Sequence, residues 1–169
     1  MLTNIRYVAT VAAFVTAVAL GTDPAAADAG HSHGHGTNHA QSYSAGLPGD
    51  SKKPARIVLV TMKETADGKM IYEPRSLEVK RGEQVRFVLT NAGELPHEFV
   101  LASVEDNLKH AEAMKQNPDM NHEEPNGKML ASRTKSEFVW HFTKAGTFEF
   151  ACLIPGHREA GMTGTVTVR

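Results

Sequence analysis

Short stretches in which apolar and polar residues alternate run from about residue 55 to the end of the chain. A spacing of two is that of a β-strand with one buried face. The alternation is clearest in two segments, whose apolar positions are Val85, Phe87, Leu89, Phe138, Trp140 and Phe142. Further β-rich runs, separated by turn sequences, lie at 56–62, 70–72, 76–79, 148–152 and 164–168. The pattern predicts an all-β protein, a β-sandwich with Greek-key connections.

One segment, residues 103–131, breaks the alternation. Ser103-Val104-Glu105-Asp106 has the form of a capping box, and helical spacing follows to about residue 117. One face of this helix carries the apolar residues Val104, Leu108 and Ala111. Pro118 and Pro125 prevent the helix from continuing. We therefore predict an insertion between two strands that is helical at first and then a loop.

The first 29 residues have the features of a secretory signal peptide. Arg6 supplies a positive charge, and residues 7–21 form an apolar stretch that is too short to span a membrane. Ala25-Ala26-Ala27 and Ala27-Asp28-Ala29 both fit the pattern of small residues at a cleavage site. We predict cleavage near residues 27–29 and export to the periplasm. An N-terminal membrane anchor is the alternative.

Residues 30–54 contain few large apolar side chains and are rich in Gly, Ser and His. Such a composition predicts a disordered arm, followed by one folded domain at residues 55–169. The arm carries four histidines, His31, His33, His35 and His39. Because neutral imidazole is the commonest metal ligand, this tract is a candidate for loose metal binding. The alternative is a solvated linker.

The formal net charge is −1, and no run of basic residues occurs. Nucleic acid and anionic membrane surfaces are therefore not expected as partners. We also expect a monomer that is free of the membrane after signal cleavage. Cys152 is the single cysteine, so it cannot form a disulfide within the chain. Metal ligation would protect such a thiol in an oxidising compartment.

Candidate metal ligands lie on a short loop near the C-terminus. Cys152 ends a strand-like run, His157 follows five residues later, and Met162 follows five residues after that. A thiolate, an imidazole and a thioether form the ligand set of a copper electron-transfer site that lacks one histidine. The best candidate for the missing ligand is His97, which begins a strand-like run after a turn.

The turn Asn91-Ala92-Gly93 leading to His97, together with the Cys-x4-His-x4-Met spacing at 152–162, resembles the cupredoxins, the small blue copper proteins. The long segment at 103–131 is more similar to the periplasmic copper-tolerance cupredoxins of the CopI type than to the smallest cupredoxins. The resemblance implies one type 1 copper, held in a plane by His97, Cys152 and His157 with Met162 as the axial ligand. It also implies that the backbone N–H of Glu98 lies near the thiolate.

Other metal and thiol chemistries fit these residues less well. Structural zinc rarely uses methionine, and a nucleophilic cysteine usually opens a helix, whereas Cys152 ends a strand. A dinuclear copper centre needs a second cysteine. A multicopper oxidase would flank its cysteine with histidines, but the neighbours here are Ala151 and Leu153. We therefore expect a protein that is not an enzyme, with weak Cu(I) oxidation left open.

A second group of candidate copper ligands lies in the insertion, namely His110, Met114, Met120 and His122. Methionine and histidine together suit Cu(I). The alternative is that Met114 packs on the sandwich and His122 is solvated.

Two functions remain. One is periplasmic copper tolerance through binding and buffering of copper, with a redox-active Cu(I)/Cu(II) centre. The additional histidines and methionines favour it, because an electron carrier does not need them. The other is a mobile electron carrier that meets redox partner proteins through an apolar patch of Leu153, Ile154 and Pro155 around His157.

Overall fold

The structure is a computed structural model that describes residues 43–117 and 124–169. Within these ranges the elements are β1 (Leu47–Pro48), β2 (Arg56–Glu64), β3 (Met70–Glu73), β4 (Ser76–Val79), β5 (Gln84–Asn91), β6 (His97–Ala102), α1 (Val104–Gln116), β7 (Gly127–Leu130), β8 (Lys135–His141), β9 (Gly146–Ala151) and β10 (Thr163–Val168). In this part of the chain, no helix is long and apolar enough to cross a membrane.

The strands form two five-stranded sheets that pack face to face, as the alternation predicts. One sheet has the order β1-β8-β5-β2-β3 and the other has the order β4-β10-β9-β6-β7. The pairs β2/β5 and β4/β10 are parallel, and the remaining pairs are antiparallel. Buried apolar residues of both sheets meet in one core, where the ring of Phe87 lies 5.2 Å from that of Phe99 in the opposite sheet. The predicted β-sandwich is confirmed.

The fold begins earlier than the sequence indicates. The predicted disordered arm extends to residue 54, but Leu47 and Pro48 pair with β8, and Ala45 is fully buried. The ring of Tyr43 lies edge-on to Trp140 at 5.4 Å. These few apolar residues cover the end of the first sheet, so residues 43–54 belong to the sandwich. The signal peptide and the four histidines of the arm lie outside the described residues.

Helix α1 is confirmed, but of its predicted apolar face only Ala111 packs against the sandwich. The Ser103 side chain accepts the backbone N–H of Asp106 at 3.1 Å, as a capping residue should. Val104 and Leu108 are about half exposed, whereas Asn107 and Met114 are buried. The helix packs through Met114 because the sheet beneath it offers an apolar surface at that end.

The end of the predicted insertion is a strand. Residues 127–130 form β7, which pairs antiparallel with β6 and places Met129 opposite Glu98. The loop prediction was wrong for these residues because four residues carry too little alternation to reveal a strand. Their extended conformation depends on pairing with a strand about 30 residues away.

Candidate metal centre

The sheet order brings the predicted ligands to one end of the sandwich. Strand β9 lies between β10 and β6, with Ala151 opposite both Thr163 and Val100. Cys152 follows β9, Met162 precedes β10, and His97 begins β6. His97, which is distant from Cys152 and Met162 in the sequence, therefore lies at the start of the strand next to the one that Cys152 follows.

Three potential donor groups meet at this end of the sandwich. One ligand atom from each of His97, Cys152 and His157 lies within 4.8 Å of the other two. The Nδ1 atoms of the two histidines are 3.3 Å apart, and Nδ1 of His157 lies 3.4 Å from Sγ of Cys152. His97 and Cys152 are fully buried, and His157 is half-buried. The structure thus brings together three of the four predicted ligands.

Met162, the fourth predicted ligand, is fully buried in the same core as Cys152. Its carbonyl oxygen accepts the backbone N–H of Cys152 at 3.1 Å, and its own N–H donates to the carbonyl of His157 at 3.1 Å. These bonds join the two ends of the ligand loop. Axial ligation by Met162 stays a prediction.

The loop between Cys152 and Met162 is a series of tight turns. Gly156 and Gly161 have φ angles of 89° and 96°, in the left-handed region that glycine adopts most readily. The Ala160 N–H donates to the Gly156 carbonyl at 3.0 Å, and the Met70 N–H donates to the Ala160 carbonyl at 3.2 Å. Internal and external hydrogen bonds therefore fix the loop that carries His157.

The protonation states and the donor atoms of the site favour a soft cation. Burial lowers the pKa of His97 and that of His157, so both imidazoles are neutral at pH 7 and each keeps one nitrogen lone pair. Burial raises the pKa of the Cys152 thiol to about 12, which means that a thiolate here needs a bound cation. Two neutral imidazoles and one sulfur are the donor set of a type 1 copper site, so the described residues fit copper.

Glu98 contributes to the site mainly through its backbone. Its N–H donates to Sγ of Cys152 at 3.3 Å, as expected for the residue after His97. Its side chain turns to the other face of the sheet, where it accepts the N–H of Leu153 at 3.3 Å. Burial, reinforced by Glu124, raises the pKa of the Glu98 carboxyl to about 7.

Asn91 holds the turn that leads to His97. It is fully buried, and its amide nitrogen donates to the carbonyls of Leu95, Leu130 and Ala131 at 2.8, 3.2 and 3.1 Å. Its amide oxygen accepts the N–H of Gly93 at 2.9 Å. One side chain thus ties the His97 turn to the end of β7.

Replacing Asn91 with alanine should lower the free energy of unfolding by about 3 kcal/mol, because it leaves several buried carbonyls and one N–H without partners. Urea denaturation of the copper-free protein measures this change. Asn117→Ala removes the same side chain from the exposed end of α1 and should change stability by less than about 0.5 kcal/mol. Equal losses in the two variants would contradict the role of Asn91.

The structure places Met114, from the second group of candidate ligands, in an apolar cluster. Its side chain is 2% exposed and packs with Val100, Ala151 and Leu153. This is the environment of a core methionine and not of a solvent-accessible copper ligand. Met120 and His122 lie outside the described residues.

Met114→Leu separates these two roles, since leucine keeps the apolar volume but lacks the thioether sulfur. We expect a stability loss below about 1.5 kcal/mol and an unchanged Cu(I) stoichiometry. Met114→Ala should cost about 3 kcal/mol, again with unchanged stoichiometry. Cu(I) titration with a competing chelator is the measurement, and loss of a Cu(I) equivalent in Met114→Leu would identify Met114 as a ligand.

Sequence reasoning missed two carboxylates near the site. Glu64, at the end of β2, contacts Nε2 of His97 at 2.8 Å. Glu149 accepts from the guanidinium of Arg158 at 2.9 Å and from the side-chain amide of Asn107 at 3.1 Å, which links the ligand loop to α1. An acidic residue within a strand-like alternation gives no local signal of such contacts. Only the strand pairing shows that each carboxylate lies near the ligands.

Comparisons with known proteins agree with this site. A family model described as copper binding proteins, plastocyanin/azurin family, matches residues 59–169. The copper-resistant cuproprotein CopI of Rubrivivax gelatinosus is 47% identical over 161 residues, which cover 93% of this chain and 95% of that protein. A protein of the same name from Pseudomonas aeruginosa is 33% identical over 160 residues, covering 78% of this chain and 84% of the relative.

Solved structures show the same fold. Auracyanin B matches with a TM-score of 0.58 and 25% identity, over 75% of this chain and 98% of that one. A reduced auracyanin from Roseiflexus castenholzii matches with a TM-score of 0.57 and 20% identity, over 69% of this chain and 99% of that one.

Proposed function

Because this chain belongs to the plastocyanin/azurin family of copper-binding proteins, we propose that it contributes to copper tolerance in the periplasm by binding and buffering copper. One observation carries the proposal. Ligand atoms of His97, Cys152 and His157 lie within 4.8 Å of one another at a buried end of the sandwich. With Met162, these residues would hold one type 1 copper. We expect binding without catalytic turnover.

Copper bound here would supply a one-electron redox couple, Cu(I)/Cu(II). The protein supplies donors that stay in place. His97 begins β6, Cys152 directly follows the paired strand β9, and the hydrogen-bonded loop carries His157 and Met162. A site that is fixed in this way keeps nearly the same geometry in both oxidation states, and burial limits the access of water to the sulfur.

Two features favour tolerance over electron transfer alone. Two relatives that match 93% and 78% of this chain are named copper-resistant cuproproteins. In addition, the four histidines of residues 31–39 provide a second group of potential ligands outside the sandwich. We propose that this tract binds further copper loosely and raises the buffering capacity of the protein.

Electron transfer to a redox partner protein is the second candidate. His157 is half-buried, and the partly buried Ile154 and the exposed Pro155 lie three and two residues before it. This apolar rim would suit transient docking around an imidazole that conducts electrons. Leu153 was predicted to belong to the patch but is only 1% exposed, so the rim does not include it.

Copper stoichiometry of the mature protein tests the proposal. The key variant replaces His31, His33, His35 and His39 together with asparagine, which preserves the chain length. It also avoids a deletion that would reach Tyr43 and Ala45, which pack on the sandwich. We expect more than one copper per wild-type chain, about one per variant chain, and the same visible thiolate band in both.

Growth of copper-stressed cells that express either protein is the matching functional measurement. The variant should protect less well than the wild type. Equal protection, with one copper bound by each protein, would favour the electron carrier. A wild-type protein without a thiolate band would overturn both candidates.

A further inference from the structure

The carboxylate of Glu64 lies directly behind His97. Its Oε1 atom is 2.8 Å from Nε2 of His97, on the side of the ring away from Nδ1. The same carboxylate accepts the backbone N–H groups of Glu94 at 2.9 Å and Leu95 at 3.1 Å. One side chain from β2 therefore holds both the imidazole and the turn before it.

The contact determines which nitrogen of His97 carries the proton. Both oxygens of the Glu64 carboxyl group already accept backbone N–H groups, Oε2 that of Glu94 and Oε1 that of Leu95. A carboxyl group whose two oxygens both act as acceptors in this way also accepts from the ring, so Nε2 of His97 is the donor. Nδ1 of the neutral ring then has its lone pair free, and it faces His157 at 3.3 Å.

The turn before His97 leaves space for this carboxylate because residue 93 is a glycine. A Cβ atom at Gly93 would lie 2.5 to 2.8 Å from three atoms of the Glu64 carboxyl group, so any larger residue would displace it. The amide oxygen of Asn91 accepts the Gly93 N–H at 2.9 Å. The position of Glu64 therefore depends on two residues of the Asn-Ala-Gly turn.

The charge of Glu64 also acts on the site. Its side chain is 24% exposed, and none of the ion pairs observed among the described residues joins it to lysine or arginine. One negative charge next to a ligand ring favours the more positive copper ion. Hydrogen bonds from a metal-binding histidine to a carboxylate orient the ring and increase its basicity.

We propose that Glu64 is a positioning residue that sets the tautomer and orientation of His97 and thereby favours Cu(II) over Cu(I). This inference rests on the proposed copper site. It goes beyond the four ligands, because Glu64 would not touch the metal.

The test compares Glu64→Gln and Glu64→Ala with Glu78→Gln. Glu78 is a matched control, since the change in charge is the same, its side chain is 75% exposed, and it pairs with Thr167 near the far end of β10. Glutamine keeps the size of the side chain but places an NH₂ group against one of the N–H donors. If the alanine variant fails to fold, the glutamine variant still tests the proposal.

Two measurements are made on each protein. Nitrogen-15 NMR of the copper-free protein reports the His97 tautomer, which should be Nε2–H in the wild type and in Glu78→Gln. The tautomers should be mixed in the Glu64 variants. Competition titrations give the affinities for Cu(II) and Cu(I), and the Cu(II) affinity should fall by about 10- to 100-fold.

The loss of Cu(II) affinity should exceed the loss of Cu(I) affinity by about tenfold, which raises the reduction potential by about 59 mV. Equal losses for both ions, or a Cu(II) affinity within about threefold of the Glu78→Gln control, would overturn the inference while leaving the proposed function intact. A wild-type protein that binds no copper would overturn both.

Discussion

Replacing Cys152 with serine is expected to abolish the intense visible absorption of the Cu(II) protein while the sandwich still folds. The band arises from charge transfer between a thiolate sulfur and copper, and a serine hydroxyl is a hard, neutral donor that cannot supply it. Copper affinity should fall by at least about 100-fold, because losing a ligand exceeds the usual effect of losing an outer hydrogen bond. Absorption spectroscopy and copper titration measure the two effects.

Serine is a suitable replacement because its oxygen can still accept the Glu98 N–H that donates to Sγ at 3.3 Å. The cost to the copper-free protein should be about 1–2 kcal/mol for burying a hydroxyl group at a fully buried position. Cys152→Ala should also lack the band, and it leaves the Glu98 N–H without an acceptor. A band that persists in either variant would show that Cys152 is not the ligand.

The sandwich could be predicted from the sequence because strands such as β5 and β8 bury one face. Phe87 and Trp140 lie at alternate positions of strands whose opposite face is partly exposed, so the period of two is visible in the sequence. The ligand loop could be predicted for a different reason. Cys152 and His157 are five residues apart, and a short loop keeps them close in any fold.

The features that sequence reasoning missed depend on contacts between distant residues. Strand β7 is extended because β6 pairs with it, and Glu64 contacts a histidine 33 positions later. Helix α1 has a weak apolar face, with Val104 and Leu108 about half exposed, so the sheet beneath it and not the helix pattern decides which residues are buried. Periodicity carries no information on such pairings.

The metal site likewise combines features that the sequence predicts with features that only the fold supplies. The residue type and spacing predict the donors, whereas their electrostatic setting comes from the fold. Burial of Cys152 and His97 excludes water, and the Glu98 amide reaches the sulfur only because β6 and β9 are neighbours. The chemistry of copper here therefore depends on the sheet order as much as on the ligand motif.

Gly164→Ala should lower the free energy of unfolding by about 3 kcal/mol or more and broaden the copper absorption band. In an ordinary strand this substitution would be neutral or stabilising, since glycine costs about 0.5–1 kcal/mol relative to alanine. Here a Cβ atom would lie far inside van der Waals contact of the Phe150 ring, with the third nearest ring atom only 2.8 Å away. This steric overlap outweighs the usual gain from replacing glycine, so the substitution lowers the free energy of unfolding.

Phe150 cannot move aside to relieve the overlap. Its ring stacks on Phe99 with centroids 5.0 Å apart and meets the edge of Tyr72 at 5.1 Å. Any displacement would pass along β9 to Cys152, two residues later on the same face, and so reach the metal site. Denaturation and absorption spectra of one protein sample therefore measure both consequences.

A double-mutant cycle identifies the overlap as the cause. In a Phe150→Leu background the ring is absent, so Gly164→Ala should cost at least about 1 kcal/mol less than in the wild type. Gly68→Ala serves as a control, because a Cβ atom at this glycine would meet no other atom. Only its left-handed φ of 79° opposes alanine, so the free energy of unfolding should fall by about 1–2 kcal/mol. If Gly164→Ala costs the same with and without the Phe150 ring, the close packing of β10 on this ring does not set the geometry at Cys152.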